Sequence, residues 1–421
     1  MSTAKLREIA VARLEYGMYV SQLDRPWTDT PFMFQGFVLK NEKQLVTLKK
    51  FCKHVYIDPE KWQAVEAPKT PVEAPPPPPP ENSAHAAAIR AQLAEKIRGA
   101  TEYRQRSTIE EEMPKAEEAW RRSTQIVKMI ATSARAGEVL DGPRTTEAVK
   151  EITASVERNP DAMMLLAKMR EQSRQTLDRS VEVSVIMTAF GRFLQLPRQQ
   201  LELLGMVGLL QDVGMMKIPQ AIAQKRSKLT AADRDIFRSH VQHSVEILSK
   251  TVGLPAELPG IASLHHERYD GTGYPRGLKG NAISLLGQIA AIVDMFDTLT
   301  APEPYGAHQP PSAALNYLYR NRGTKFHAGA VEQFIQCLGA FPVGSVVELN
   351  SDEIGVVVAQ NMVRRLQPRV MVVQDGDGNP IRPYKLLDLM KEPMATPDEP
   401  YRIRRTLEAN AVHVDPRELF L

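Results

Sequence analysis

Two adjacent imidazoles, His265 and His266, run straight into the turn-forming segment Glu267-Arg268-Tyr269-Asp270-Gly271-Thr272-Gly273-Tyr274-Pro275. No other stretch of the chain constrains its fold as tightly. Adjacent histidines can reach two different metals, or a metal and a substrate, so ligand-bearing helices from elsewhere must converge on this point. Gly271 and Gly273 carry no Cβ and let backbone approach a bound group closely. A Gly-rich turn alone is a weak signal. Directly after His-His-Glu-x-x-Asp it is a specific one.

With 421 residues, 43% of them hydrophobic and 24% charged, the chain has material for two or three domains and a sizeable core. A net charge of +3 is small for this length and gives no footprint for nucleic acid or an anionic membrane. Cys52 and Cys337 are the only cysteines. They lie far apart, without histidines at metal spacing, which indicates a reducing compartment and no disulfide framework. No apolar run approaches the ~20 residues of a membrane helix. The N-terminal stretch Met1 to Glu8 has no signal-peptide apolar core, so a cytoplasmic location is expected.

Residues 1–64 are expected to form a small α/β domain. Ile9–Leu14, Met33–Leu39 and His54–Ile57 lean toward strand, and a short helix is expected from Asn41 through Cys52. Residues 65–83 contain the run Pro75–Pro80, an extended polyproline spacer, with a ligand for a proline-binding domain as the minor alternative. Residues 84–170 form a helical connector broken at Pro114, with further helices at Thr145–Glu157 and Pro160–Leu177. Its mixed-sign charges fit a solvated face. Residues 171–345 read as helix after helix, with apolar spacing through Val181–Leu194 and Leu201–Leu210. Residues 346–421 form a β-rich extension, with strands beginning at Ser345–Leu349 and continuing at Ile354–Ala359 and Arg369–Gln374. The cluster Asp375 to Pro380 reads as a tight turn, because it lacks the later carboxylates of an EF-hand. The fold class is mainly α: a helical bundle behind a small α/β domain and ahead of a β-rich tail.

Around His265–Pro275 the sequence resembles the HD-GYP family, bacterial metal-dependent hydrolases of cyclic dinucleotides, above all cyclic di-GMP. The likeness covers roughly residues 170–350, and the segment in front resembles the accessory domain often found before HD-GYP modules. It implies an HD-type helical bundle, a role in signal transduction, and a divalent transition metal (Fe, Mn or Zn). The implied metal ligands are Asp212, His240, His265, His266 and Asp294, with Asp212 also at the catalytic position. Several positions depart from the pattern. Arg179 stands at the first ligand position, and the namesake His-Asp pair is Gln211-Asp212. Met215 replaces a lysine. The Arg-Pro-Tyr segment and its following basic residue become Glu303-Pro304-Tyr305-Gly306, with Glu303 and Gly306 in the two cationic places. A neutral amide oxygen is a weaker donor than imidazole. Arginine stays protonated and has no lone pair to give. One metal position thus keeps only Asp212 and Asp294, while the other keeps Asp212, His240 and His265 or His266. One metal is expected rather than two or three, with the Arg179 guanidinium paired to Asp212 and Asp294.

The remaining residues receive plainer readings. His243 and His327 match no ligand position and are expected to be structural. Met215 and Met216 line core or pocket. The loop residues Asp270, Gly271, Gly273, Tyr274, Pro275, Arg276 and Lys279 keep the family's pattern and offer a ligand or partner surface. Arg268, Arg276 and Lys279 are the cations that could offset the missing ones.

Three functions compete. Charge-assisted contacts to phosphate are worth roughly 1.5–3 kcal/mol each. Losing three removes orders of magnitude from kcat/KM at about 1.4 kcal/mol per decade. The resemblance therefore implies a cyclic di-GMP signalling protein with weak or no phosphodiesterase activity, acting through cyclic dinucleotide or protein-partner binding and compatible with a homodimer. The alternative is an active phosphodiesterase that hydrolyses cyclic di-GMP to pGpG or GMP. A nucleotide hydrolase of the broader HD superfamily fits the Gly-Tyr-Pro extension least.

Overall fold

The computed structural model describes residues 6–25, 37–39, 42–62, 101–170, 176–223, 229–301, 309–361, 364, 366–407 and 411–412. The proline run, the expected helix start at Ala84, and the substituted positions Glu303 and Gly306 lie outside the described residues.

Strands β1 (Arg7–Ala10), β2 (Tyr19–Leu23), β3 (Phe37–Val38) and β4 (His54–Asp58) form an antiparallel sheet in the order β1-β4-β2-β3. With helix α1 (Glu42–Phe51) they bury Val20, Leu23, Leu39, Leu48, Val55 and Ile57 in a core of their own. The expected small α/β unit is present. Strand β2 was not anticipated, because its buried Val20 and Leu23 stand three apart. A register shift between Val20 and Gln22 breaks the two-residue alternation that would have announced it.

Helix α2 (Ile109–Ala136) starts at a capping box: the Thr108 hydroxyl accepts from the Glu111 N–H, and the Glu111 carboxylate accepts from the Thr108 N–H. Pro114 does not break it, contrary to expectation. The proline forfeits one backbone bond near the start of a 28-residue helix whose apolar stripe is buried from Ile109 to Ala134. Helices α3 (Gly142–Arg158), α4 (Pro160–Arg170), α5 (Thr176–Phe193) and α6 (Arg198–Leu210) follow. Buried Glu112 ties α2 to α3, accepting from Ser155 Oγ at 2.8 Å and from Arg158 Nη2 at 2.7 Å. Glycine permits the close approach of α5 and α6, since a Cβ on Gly208 would lie 2.6 Å from the Ser184 backbone. The later helices are α7 (Gln220–Ala223), α8 (Ala231–Arg238), α9 (His240–Ser249), α10 (Leu258–Ala262), α11 (Leu285–Thr300), α12 (Pro311–Arg320) and α13 (Ala328–Leu338). Residues from Ile109 to Leu338 share one hydrophobic core, so the part of the expected connector from Ile109 onward packs as part of the bundle.

Strands β5 (Val346–Leu349), β6 (Ile354–Ala359), β7 (Arg369–Gln374), β8 (Pro380–Asp388) and β11 (Ile403–Thr406) form an antiparallel sheet in the order β11-β5-β6-β7-β8, and β9 (Met394–Thr396) pairs with β10 (Glu399–Pro400). Alternate residues face opposite ways. Val346, Val356, Val358, Met371 and Val373 join the helical core, while Val347, Leu349, Val357, Val370 and Val372 build a second one. The expected tight turn is there: Asp375 Oδ1 accepts from the Asp377 and Asn379 N–H groups at 3.0 and 2.8 Å.

The junction that matters for function follows α6. The Ser244 hydroxyl on α9 donates to the Gln211 carbonyl at 2.7 Å and accepts from the Gly214 N–H at 2.9 Å. This clamps the short 3-10 turn Val213–Lys217 onto α9. A Cβ at Gly214 would meet the Ser244 nitrogen at 2.5 Å and the His240 carbonyl closer still. Both are backbone and cannot step aside. We expect Gly214→Ala to destabilise the fold by roughly 1–3 kcal/mol or more, the usual cost of overpacking. Gly260→Ala, which meets nothing within 4 Å, should leave the melting temperature unchanged or slightly higher. Equal shifts for the two variants would refute this.

Candidate metal centre

The Ser244 clamp sets Asp212, just past α6, beside His240, the first residue of α9. His265 and His266 follow α10. His240 Nδ1 lies 2.7 Å from the Phe237 carbonyl and His265 Nδ1 lies 2.6 Å from the Ala262 carbonyl. A carbonyl only accepts, so each Nδ1 carries a proton, and each Nε2 faces Asp212, donating to it while protonated and offering a lone pair once that proton is released. The two Nε2 atoms are 3.4 Å apart, and Asp212 Oδ1 stands 3.3 Å from one and 3.6 Å from the other. With His266 they make a set of four residues whose candidate ligand atoms lie within 4.8 Å of one another. Asp294, buried on α11, faces His266 with its Oδ2 3.4 Å from Nδ1. All five expected ligands are therefore neighbours, four of them in one tight group.

Electrostatics suit a cation here. The pocket's burial would raise the Asp212 carboxyl, yet its side chain keeps 42% exposure, and the hydrogen bonds from His240 and His265 hold it well below the usual carboxylate range. Burial, with His265 and His240 alongside, pushes His266 well below the ordinary imidazole range, so it is neutral as a ligand must be. Burial alone would lower His265, but the Asp212 hydrogen bond and charge raise it. Asp294 is raised by burial and by the like charge of Asp212. Imidazoles that release their Nε2 protons to an incoming cation, beside an ionised carboxylate, are the donor set of borderline divalent metals, and the Phe237 and Ala262 carbonyls orient two of the rings.

Arg179 departs from expectation. It lies within α5, and its direct partner is Asp297, whose Oδ2 accepts from Nε; Nη2 reaches Thr298 Oγ1 at 3.3 Å. Asp212 and Asp294 act on it through their charge. The cause is Asp297, 3% exposed and in need of a counter-ion one helical turn beyond Asp294. That carboxylate stands in the same stretch as Asp294, and its i,i+3 spacing was the available signal. Gln211 is 1% exposed, and its Oε1 has no hydrogen-bond partner among the described residues.

The Gly-Tyr-Pro loop is held from beneath by Glu267, which sequence reasoning passed over. Fully buried, it accepts from the Arg276 N–H at 2.8 Å and the Leu278 N–H at 2.9 Å. Gly273 is obligatory, since a Cβ there would sit 2.5 Å from the His266 carbonyl and from Glu267 Cα. Gly271 is left-handed at φ 83°, and the Tyr274-Pro275 peptide is cis. Asp270 Oδ1 accepts from the Thr272 N–H and hydroxyl at 2.9 and 2.7 Å, and the residue bridges to Lys279. Tyr274 turns inward, its ring 4.6 Å from that of His266 at 31°. Arg268 spends Nη1 on the His265 and Glu267 carbonyls, at 3.1 and 2.8 Å, whereas Arg276 and Lys279 are exposed. Met216 packs on the main core and Met215 is half-buried. His327 caps α13 by accepting from the Ala330 N–H at 3.1 Å, a structural role as expected. His243 stays outside the cluster, 3.9 Å from Glu246.

Comparison with known proteins agrees with this picture. An HD domain matches residues 161–329, a KOW domain associated with HD domains matches 346–396, and a domain of unknown function, DUF3391, matches 6–145. The cyclic di-GMP phosphodiesterase PA4108 of Pseudomonas aeruginosa is 31% identical over 386 residues, 91% of this chain and 89% of its own. The cyclic di-GMP phosphodiesterase response regulator RpfG of Xanthomonas campestris is 31% identical over 219 residues, 48% of this chain and 57% of its own. The 3'3'-cGAMP-specific phosphodiesterase 3 of Vibrio cholerae is 35% identical over 153 residues, 36% of this chain and 33% of its own. Fold and cluster together define an HD-domain protein of the metal-dependent class. Within that class the chain belongs to the HD-GYP family. Among the described residues no helix is long and apolar enough to cross a membrane.

Two variants test the framework. Glu267→Ala strands two backbone donors under the loop; it should cost on the order of 3 kcal/mol and reduce metal retention, and a normal melting temperature would count against the role given to Glu267. Arg179→Met leaves Asp297 buried without its cation, a loss of about 3–5 kcal/mol at neutral pH. Burial already raises the Asp297 carboxyl in the folded state, and removing the guanidinium raises it further. The folded variant then holds a proton that the unfolded chain releases, so its stability falls as pH rises from about 5 to 8. Melting temperatures that climb with pH across that window would contradict the assignment.

Proposed function

We propose that the protein is a cytoplasmic cyclic di-GMP signalling protein of HD-GYP type that holds one divalent transition metal, binds the cyclic dinucleotide, and turns it over weakly or not at all. The observation that carries this reading is the Arg179–Asp297 ion pair, which fixes a guanidinium whose charge acts on Asp212 and Asp294. Arginine adds charge there but no ligand atom. The neighbouring Gln211 offers at best a weak amide donor. Ligation then falls to Asp212, His240, His265 and His266.

A metal held there would supply an acidified water and a Lewis-acid contact to phosphate. The chain's own contribution is orientation. The Phe237 and Ala262 carbonyls lock His240 and His265 with Nε2 facing Asp212. Asp294 holds His266 through Nδ1. Asp212, the most exposed member, is ionised and open to solvent, where its free oxygen can accept a hydrogen bond from an attacking water and orient it. The exposed Arg276 and Lys279 are the loop groups a protein partner would meet. The alternative of real turnover, to pGpG or GMP, is favoured by the phosphodiesterase relatives.

Elemental analysis of chelator-free protein, joined to a cyclic di-GMP turnover assay, decides between them. We expect about one equivalent of Fe, Mn or Zn, lost in Asp212→Ala and His240→Ala, and turnover far below the ~10 s⁻¹ typical of enzymes. Two or more equivalents, or turnover near that rate, would overturn the proposal.

A further inference from the structure

We infer that Arg238 is the substrate-positioning cation of this site, donating its guanidinium N–H groups to a phosphodiester oxygen of the cyclic dinucleotide bound at the metal cluster. This rests on the proposed nucleotide reading and adds a residue to it. Arg238 ends α8, two residues before the ligand His240. Its guanidinium carbon lies 4.9 Å from the centre of the Tyr274 ring, and that ring lies 4.6 Å from His266. Arginine, tyrosine and histidine thus form a column that ends on a member of the metal cluster.

Three observations make this cation available. The side chain is exposed, and among the described residues no carboxylate stands within ion-pair distance of it. The nearby basic groups Arg179 and Arg268 are already engaged, by Asp297 and by the His265 and Glu267 carbonyls. Tyr274 orders the guanidinium by cation–π contact, while the planar fork keeps its N–H edge free for an anion. A pocket lined by Asp212, Asp294 and Asp297 repels a phosphodiester unless such a cation meets it.

The test is calorimetric titration of the full-length, metal-loaded chain with two probes, cyclic di-GMP and bis(4-nitrophenyl) phosphate, on the unmodified protein, Arg238→Gln and Arg238→Lys. Arg238→Gln should weaken binding about tenfold or more and flatten its salt dependence, with metal content and melting temperature unchanged. Arg238→Lys should recover part of the loss. Affinity within twofold of the unmodified protein in Arg238→Gln overturns the assignment and leaves the nucleotide reading standing. Loss of metal together with affinity, unrescued by lysine, also overturns it, because Arg238 would then merely prop Tyr274 against His266. If the unmodified protein binds the simple diester but not cyclic di-GMP, the nucleotide reading falls and Arg238 is judged on the diester. If it binds neither probe, both fall together.

Discussion

A single hydroxyl holds the site together. Ser244 donates to the Gln211 carbonyl and accepts from the Gly214 N–H, joining the end of α6 to the first turns of α9. Asp212 lies between those two bonded residues, and His240 opens the helix that carries the serine. The distance from Asp212 to His240 is therefore set by backbone and not by side-chain choice. Close packing at Gly214 fixes it further, since no Cβ fits against the His240 carbonyl. The remaining ligands are registered against this pair by the Nδ1–carbonyl bonds and by the stacking of His266 on Tyr274. None of these contacts uses the Nε2 atoms of His240 and His265, so the site is ordered in advance of any ion.

Glu267 plays the matching part for the loop. A buried carboxylate that accepts two backbone N–H groups is satisfied without a cation, which explains how an acid can sit beside two imidazoles and stay out of the cluster. It also explains why the loop's form does not depend on the chemistry around it. The pattern from His265 to Gly280 is needed to shape backbone and to place His266.

The sequence made the fold class and the ligand set legible for different reasons. Helical spacing marked α5 and α6, and short apolar, β-branched runs bounded by turn residues marked β5 to β7, whose two faces are both buried. Strand β2 escaped because a bulge put its buried residues three apart. Strand β8 escaped because its exposed stretch, Pro380 to Leu386, has no apolar rhythm. The four clustered residues Asp212, His240, His265 and His266 could be read from order and residue type. Arg179's partner could not, because the choice between Asp294 and Asp297 depends on which turn of α11 faces α5. Arg238 was invisible for the same reason: nothing in the sequence says that the residue before Ser239 lies over Tyr274.

Charge balance connects the substituted positions to the proposed activity. Three aspartates lie at or next to the cluster, Asp212, Asp294 and Asp297. Arg179 offsets one of them, and one divalent ion at the Asp212–His240–His265–His266 cluster would offset the other two. No surplus positive charge would remain within the cluster itself for an incoming phosphodiester or the further negative charge of its transition state. A site with a second metal in place of the guanidinium would carry one more positive charge and one more Lewis acid. Arg179 keeps Asp297 paired, and on the proposed reading its guanidinium brings no Lewis acid to the site. Under the proposed function, binding of the dinucleotide would rely on cations at the rim. The structure supplies one beside the cluster, Arg238, ordered by the same tyrosine that orders His266.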